Sequence, residues 1–238
     1  MSPSSYLICG TPRTGSTLLC SLLASTGVAG RPESYFREPD VNRWAREFGV
    51  PIAPDGTFDY NAFVEGAVRA GSTPNGVFGA RVMWGTMQLV TASLGARTRS
   101  SSDLALLEKA FGPLKLIHHR REDVVEQAVS WARAEQSGYW QQGDVESRQP
   151  RFDARLVHTF VETIGEHEAG WRSWFDRDGV EPLVVTYEGL VADRRGTIER
   201  ILDHIGVESP PDWEPASPHQ RQADDINADW VRRYRDHR

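Results

Sequence analysis

Tyr6-Leu-Ile-Cys-Gly10-Thr-Pro-Arg13-Thr-Gly15-Ser16-Thr17-Leu-Leu-Cys-Ser-Leu-Leu23 decides how the rest of the chain is read. A short apolar run breaks at Gly10, and apolar residues return at helical spacing from Ser16 onward, which predicts strand, loop and helix in that order. Gly10 and Gly15 allow the backbone to turn with its N–H groups facing inward. The new helix adds the positive end of its dipole at the same place. The predicted occupant of such a turn is a phosphate-like anion resting on Gly15, Ser16 and Thr17.

The two glycines have the spacing of a Walker loop, but Ser16 stands where that motif has its lysine. Lysine occurs only at Lys109 and Lys115, so an arginine must face the anion, and Arg13 lies inside the loop. An ordinary ATPase reading therefore fails at one residue.

Outward from the loop, Leu18, Leu19, Leu22 and Leu23 give a helix that stops near Gly27. The segment 30–54 is rich in proline and charge, with one short helical pattern around Val41, Trp44, Ala45 and Phe48. It reads as a surface excursion, possible to move, beside the acceptor. A helix over 59–70 precedes a second strand over 77–83, and Thr86 to Leu94 reads as a short helix. Ser102 and Asp103 cap a helix ending near Gly112, and a third strand covers 114–118. His118-His119-Arg120-Arg121 then leaves that strand's C-terminal edge, where open α/β sheets bind ligands, and leads into a helix carrying Ser130. The stretch 137–151 is polar and reads as a second mobile loop. A long helix over 152–175, a fourth strand over 183–186, a helix with Ile198, Ile201, Leu202 and Ile205, and a C-terminal helix with Trp230 and Tyr234 complete the chain. Alternating strands and helices predict an α/β protein of three layers, α/β/α, with a mainly parallel sheet in one domain spanning 1–238.

The 238 residues are 39% apolar, enough for one sizeable core. A formal charge of −6 and a pI near 5.7 argue against a nucleic acid or an anionic membrane as partner. Cys9 and Cys20 sit where small core side chains belong, and no Cys/His cluster has metal-ligand spacing, so no metal is expected. The N-terminus lacks a basic region followed by a long apolar segment, which suggests a cytoplasmic protein.

Gly10-Thr-Pro-Arg-Thr-Gly-Ser-Thr-Leu-Leu19 resembles the 5′-phosphosulfate loop of sulfotransferases. Thr26-Gly-Val-Ala-Gly-Arg-Pro32, Thr73-Pro-Asn-Gly-Val77 with Met83-Trp84, Asp123-Val-Val through Gln127-Ala-Val-Ser130, Glu168-Ala-Gly-Trp-Arg-Ser-Trp-Phe175, and Arg221-Gln-Ala-Asp224 with Trp230-Val-Arg-Arg-Tyr234 narrow the likeness. Together they resemble the bacterial trehalose 2-sulfotransferase family from one end of the chain to the other. The resemblance implies a P-loop nucleotide-hydrolase-like fold and 3′-phosphoadenosine 5′-phosphosulfate as the donor, without a metal. It implies a small hydroxylated acceptor, a sugar or glycosylated metabolite, and a homodimer. Pro12, Arg13, Thr14, Gly15, Ser16 and Thr17 would hold the 5′-phosphosulfate. Arg121, Ser130 and Arg221 would hold the 3′-phosphate, with Arg120 as competitor for Arg121.

The family's catalytic glutamate falls in the segment matching Gly30 to Phe36. Aligned on Pro32 and Tyr35-Phe36, that position holds Ser34, and a carboxylate sits one residue earlier at Glu33. A one-residue shift in extended chain turns the side chain to another face, so Glu33 does not simply inherit the role; Glu38, Asp40 or a histidine of the 118–119 pair are the other proton acceptors. Two further readings compete: a P-loop kinase using ATP, and a nucleotide-binding relative that has lost catalysis.

Overall fold

A computed structural model describes residues 5–96, 102–140, 147–215 and 225–236. Its centre is a four-stranded parallel sheet made of β1 (Ser5–Gly10), β2 (Phe78–Met83), β3 (Leu114–Arg120) and β4 (Leu183–Thr186), in the order β2-β1-β3-β4. β1 is buried along its whole length, the expected state of a parallel strand covered on both faces. Its register sets Leu7 beside Ala80 and Leu116, Ile8 beside Arg81 and Ile117, and Gly10 beside Met83 and His119.

Alternation along β1 builds two cores. Leu7 and Cys9 face a cluster with Phe78 of β2 and with Phe63, Met87, Leu107 and Trp171, supplied by α3 (Tyr60–Gly71), α4 (Trp84–Gly95), α5 (Asp103–Phe111) and α7 (Ala154–Asp178). Tyr6 and Ile8 face Leu19, Leu22, Leu190, Ile198 and Ile201 from α1 (Ser16–Ser25), α8 (Tyr187–Ala192) and α9 (Arg194–His204). Each fully buried Leu, Ile or Phe contributes roughly 1.5–3 kcal/mol. A third cluster joins Ala128, Val129 and Ala132 of α6 (Val124–Ser137) to Val157 and Ile164 of α7 and to Trp230 and Tyr234 of α10 (Asp225–Asp236). The three-layer α/β architecture is the one expected, and α2 (Val41–Glu47) accounts for the short helical pattern inside 30–54.

Two local differences have simple causes. α4 starts at Trp84, directly on the end of β2, two residues before the expected Thr86. The chain after β4 makes a short helix because the Thr186 hydroxyl accepts from the Gly189 N–H at 3.1 Å and caps it. Both cysteines are buried, and burial pushes the Cys20 thiol up to about 12 and raises that of Cys9 further. Among the described residues no helix is long and apolar enough to cross a membrane.

Candidate active site

The loop from Thr11 to Gly15 leaves the C-terminal edge of β1 and is held from three sides. The Trp171 indole N–H donates to the Gly10 carbonyl at 2.9 Å. The Gln127 side-chain amide, 1% exposed, donates to the Thr11 hydroxyl at 2.6 Å and the Pro12 carbonyl at 2.7 Å. The Thr14 hydroxyl donates back to the Thr11 carbonyl at 3.1 Å. Buried polar atoms with matched partners give a loop whose shape exists before any ligand arrives.

Arg13 has a φ of 67° and Gly15 a φ of 79°, so two left-handed residues flank Thr14. Arginine pays roughly 1–3 kcal/mol for that conformation. Gly15 has no alternative, because a Cβ there would meet the Tyr187 ring at 2.4 Å. α1 then begins without a side-chain cap, as do α2 and α4, whereas α3, α5, α6, α7, α8 and α9 each have one; of these three uncapped starts, that of α1 follows the loop. The first-turn N–H groups of α1 are thus left for a ligand, in the field of the helix dipole.

Two arginines flank this cradle. Arg13 turns toward α6, where its Nε donates to Ser130 Oγ at 3.0 Å and a terminal nitrogen donates to the Trp140 carbonyl. On the opposite side Arg81 of β2 reaches the first turn of α1: one terminal nitrogen donates to Ser16 Oγ at 3.2 Å and to Thr17 Oγ1 at 2.9 Å. Its Nε donates to Ser34 Oγ at 2.8 Å. Sequence reasoning took Arg13 as the cation at Ser16 and Thr17; in the structure the guanidinium bonded to those residues belongs to Arg81. The signal for it was a lone charge in the run Val77 to Met83, in a strand whose two faces are both covered.

Ser34 is brought to Arg81 because the chain before it lies along the outer edge of β2. Glu33 bridges Ala80, and the Arg81 N–H donates to the Glu33 carbonyl at 2.9 Å. Upstream, the Arg31 N–H donates to the Gly71 carbonyl, and Gly30, with φ 73°, leaves no room for a Cβ, which would sit 2.8 Å from the Gly79 nitrogen. The Glu33 side chain itself is exposed.

Beyond β3, Arg121 ion-pairs with Glu126 and lies 3.8 Å from Glu188, with its guanidinium over the Tyr187 ring at 4.7 Å. Arg120 is exposed. Tyr187 therefore separates Arg121 from Gly15, a placement the sequence did not suggest. Arg221 lies outside the described residues.

The paired histidines go to opposite faces of the sheet. His119, beneath the loop, sits with Nδ1 3.2 Å from the Val185 carbonyl, and burial lowers it to about 4. His118 faces α7, its Nε2 3.1 Å from Glu168 Oε2 and its ring against Phe175. Neither touches the cradle's hydroxyls.

The geometry is an anion cradle between two arginines at the C-terminal edge of a parallel sheet. The Stf0 sulphotransferase family model matches residues 5–237. Trehalose 2-sulfotransferase of Mycobacterium tuberculosis is 32% identical over 255 residues, covering 97% of this chain and 94% of that protein. The enzyme of the same name from Mycolicibacterium smegmatis is 32% identical over 259 residues, covering 98% of this chain and 95% of that one. Among solved structures, the sulfotransferase domain from the curacin biosynthetic pathway superposes with a TM-score of 0.54 at 16% identity, over 95% of this chain and 82% of its own. A sulfotransferase from Alicyclobacillus acidocaldarius gives 0.50 at 14% identity, over 99% and 96%. These likenesses give the sulfotransferase fold, and the family match with the two full-length relatives gives the rest: this chain is an enzyme belonging to the Stf0 sulphotransferase family.

Proposed function

We propose that the enzyme moves the sulfuryl group of 3′-phosphoadenosine 5′-phosphosulfate to a hydroxyl of a sugar or glycosylated metabolite resembling trehalose. The observation that carries this reading is the uncapped start of α1 behind two left-handed residues, with no lysine in the loop and a guanidinium on the hydroxyls of Ser16 and Thr17. Sulfotransferase relatives named for trehalose support the acceptor class.

The residues present fit this donor. The Pro12 to Thr17 loop would hold the 5′-phosphosulfate through backbone N–H groups and hydroxyls. Ser130 and Arg13, bonded to each other, together with Arg121, would take the 3′-phosphate; Arg221 would complete that site. In the reaction the acceptor oxygen forms the new S–O bond while the bond from sulfur to the 5′-phosphate oxygen breaks, its electron pair staying on the phosphate. The acceptor's hydroxyl proton passes to a carboxylate. A neutral serine hydroxyl is too weak a base to take that proton, and Ser34 Oγ is held by the Arg81 guanidinium, so we assign the role to the adjacent carboxylate, Glu33, whose exposed side chain the acceptor would have to meet. Preorganised N–H donors and arginine offset the charge that develops on the leaving phosphate.

The test is transfer of radiolabelled sulfate from the donor to a panel of sugars, trehalose among them, with labelled ATP run in parallel. Label on a sugar from the sulfate donor alone is the expected result. Phosphate transfer from ATP with none from the sulfate donor would overturn the reading.

A further inference from the structure

We propose that Arg81 is a catalytic residue of the sulfuryl transfer, the cation that contacts the sulfuryl group itself. This inference rests on the sulfotransferase reading above. All of the guanidinium's side-chain hydrogen bonds go to neutral hydroxyls: Ser34, Ser16 and Thr17. No carboxylate among the described residues lies within ion-pairing distance of it, and Glu33, on the edge segment bridged to β2, offers its carbonyl to the Arg81 backbone N–H. A half-buried charge without a counter-ion is costly. Arg121, another enclosed arginine nearby, has carboxylates from Glu126 and Glu188.

Position says which anion completes it. Arg13 and Ser130 lie on the α6 side of the loop, and Arg81 lies on the β2 side. Arg81 spans from the first turn of α1, where the donor's phosphosulfate is bound, to Ser34 on the segment assigned to the acceptor. The group that crosses this interval is the sulfuryl group, with one net negative charge and oxygens that a guanidinium fork can meet. Arg81 stays protonated throughout; it neutralises charge and takes no proton. The Ser34 hydroxyl holds Nε and thereby sets the fork's direction.

The test compares equilibrium binding of two nucleotides that differ by the sulfuryl group: 3′-phosphoadenosine 5′-phosphosulfate and adenosine 3′,5′-bisphosphate. Arg81→Gln should weaken the sulfated nucleotide by about ten- to a hundredfold, the range of one charge-assisted bond, and the bisphosphate by less than about threefold. Arg81→Lys, which keeps the charge, should recover most of the difference, and a merely structural role would not separate the two ligands. Equal weakening of both nucleotides in folded Arg81→Gln, or of neither, would overturn the proposal. Should Arg81→Gln fail to fold, Ser34→Ala decides the matter: it must lose more affinity for the sulfated nucleotide than for the bisphosphate, and equal loss overturns the proposal. Wild-type protein that binds ATP and neither of these nucleotides would instead remove the sulfotransferase reading on which the proposal stands.

Discussion

Ser34 Oγ lies 2.8 Å from Arg81 Nε, tying the edge segment before α2 to the strand whose arginine also reaches Ser16 and Thr17. The donor cradle and the acceptor segment are therefore joined through one side chain. Ser34→Ala removes one anchor of the guanidinium and leaves those on α1. The kcat/KM for the donor is expected to fall by roughly tenfold, with bisphosphate affinity nearly unchanged, since one bond to a charged group contributes about 1.5 kcal/mol at the low end. Steady-state kinetics with a bisphosphate titration checks this; an equal loss of bisphosphate affinity would place Ser34 in uniform binding.

Glu33→Gln keeps the side chain's shape and removes its basicity. If Glu33 takes the acceptor's proton, the single-turnover rate should fall by about 10²–10⁴-fold while donor affinity is retained. Quench-flow with labelled donor reads the rate directly. A near-native rate would pass the proton to another group, with Glu38 and Asp40 the next to be changed.

Gly15 carries both a φ of 79° and the Tyr187 ring where a Cβ would stand. Gly15→Ala should destabilise the fold by roughly 1–3 kcal/mol for the conformation alone and reduce bisphosphate binding at least about tenfold. Adding Tyr187→Ala gives the new methyl room, 2.4 Å being the obstructed distance, yet leaves the backbone penalty. Urea unfolding of the single and double variants separates the two costs. Full recovery in the double variant would show that only the contact matters.

His119 gives the loop a pH dependence. Buried neutral beneath Thr14, it is lowered from 6.5 to about 4 in the folded chain, so the unfolded chain binds its proton first as pH falls. Its contribution to stability is complete above about pH 6.5 and is lost progressively down to about pH 4, on the order of 1.4 kcal/mol per pH unit crossed. His119→Gln should flatten the slope of stability in that window relative to wild type, measured by urea unfolding at several pH values. Parallel slopes would mean that other groups carry the acid sensitivity.

Much of this was legible before any coordinates. The unbroken run Tyr6 to Cys9 announces a strand covered on both faces, and Gly10, Gly15 and the leucines after Ser16 announce the turn and its helix, because these signals are local. The directions of the two arginines are not local. Arg13 points to Ser130 because a left-handed backbone residue meets a helix more than a hundred positions later in the chain. Arg81 reaches α1 because its register with Ile8 puts it on the face that α1 covers, and register depends on which strands pair. Ser34 looked like a lost carboxylate in the sequence; its hydroxyl as an acceptor for Arg81 appears only once the edge segment is laid on β2.

The cradle between Arg13 and Arg81 is expected to bind a 3′-phosphorylated adenosine nucleotide without a metal. Titration calorimetry with adenosine 3′,5′-bisphosphate in the presence of a chelator, set beside adenosine 5′-phosphate and ATP with Mg²⁺, tests it most directly. The bisphosphate should bind at least about tenfold tighter than either, the contribution of one charge-assisted contact to the 3′-phosphate. Tighter binding of ATP with Mg²⁺, or bisphosphate binding that the chelator abolishes, would contradict it.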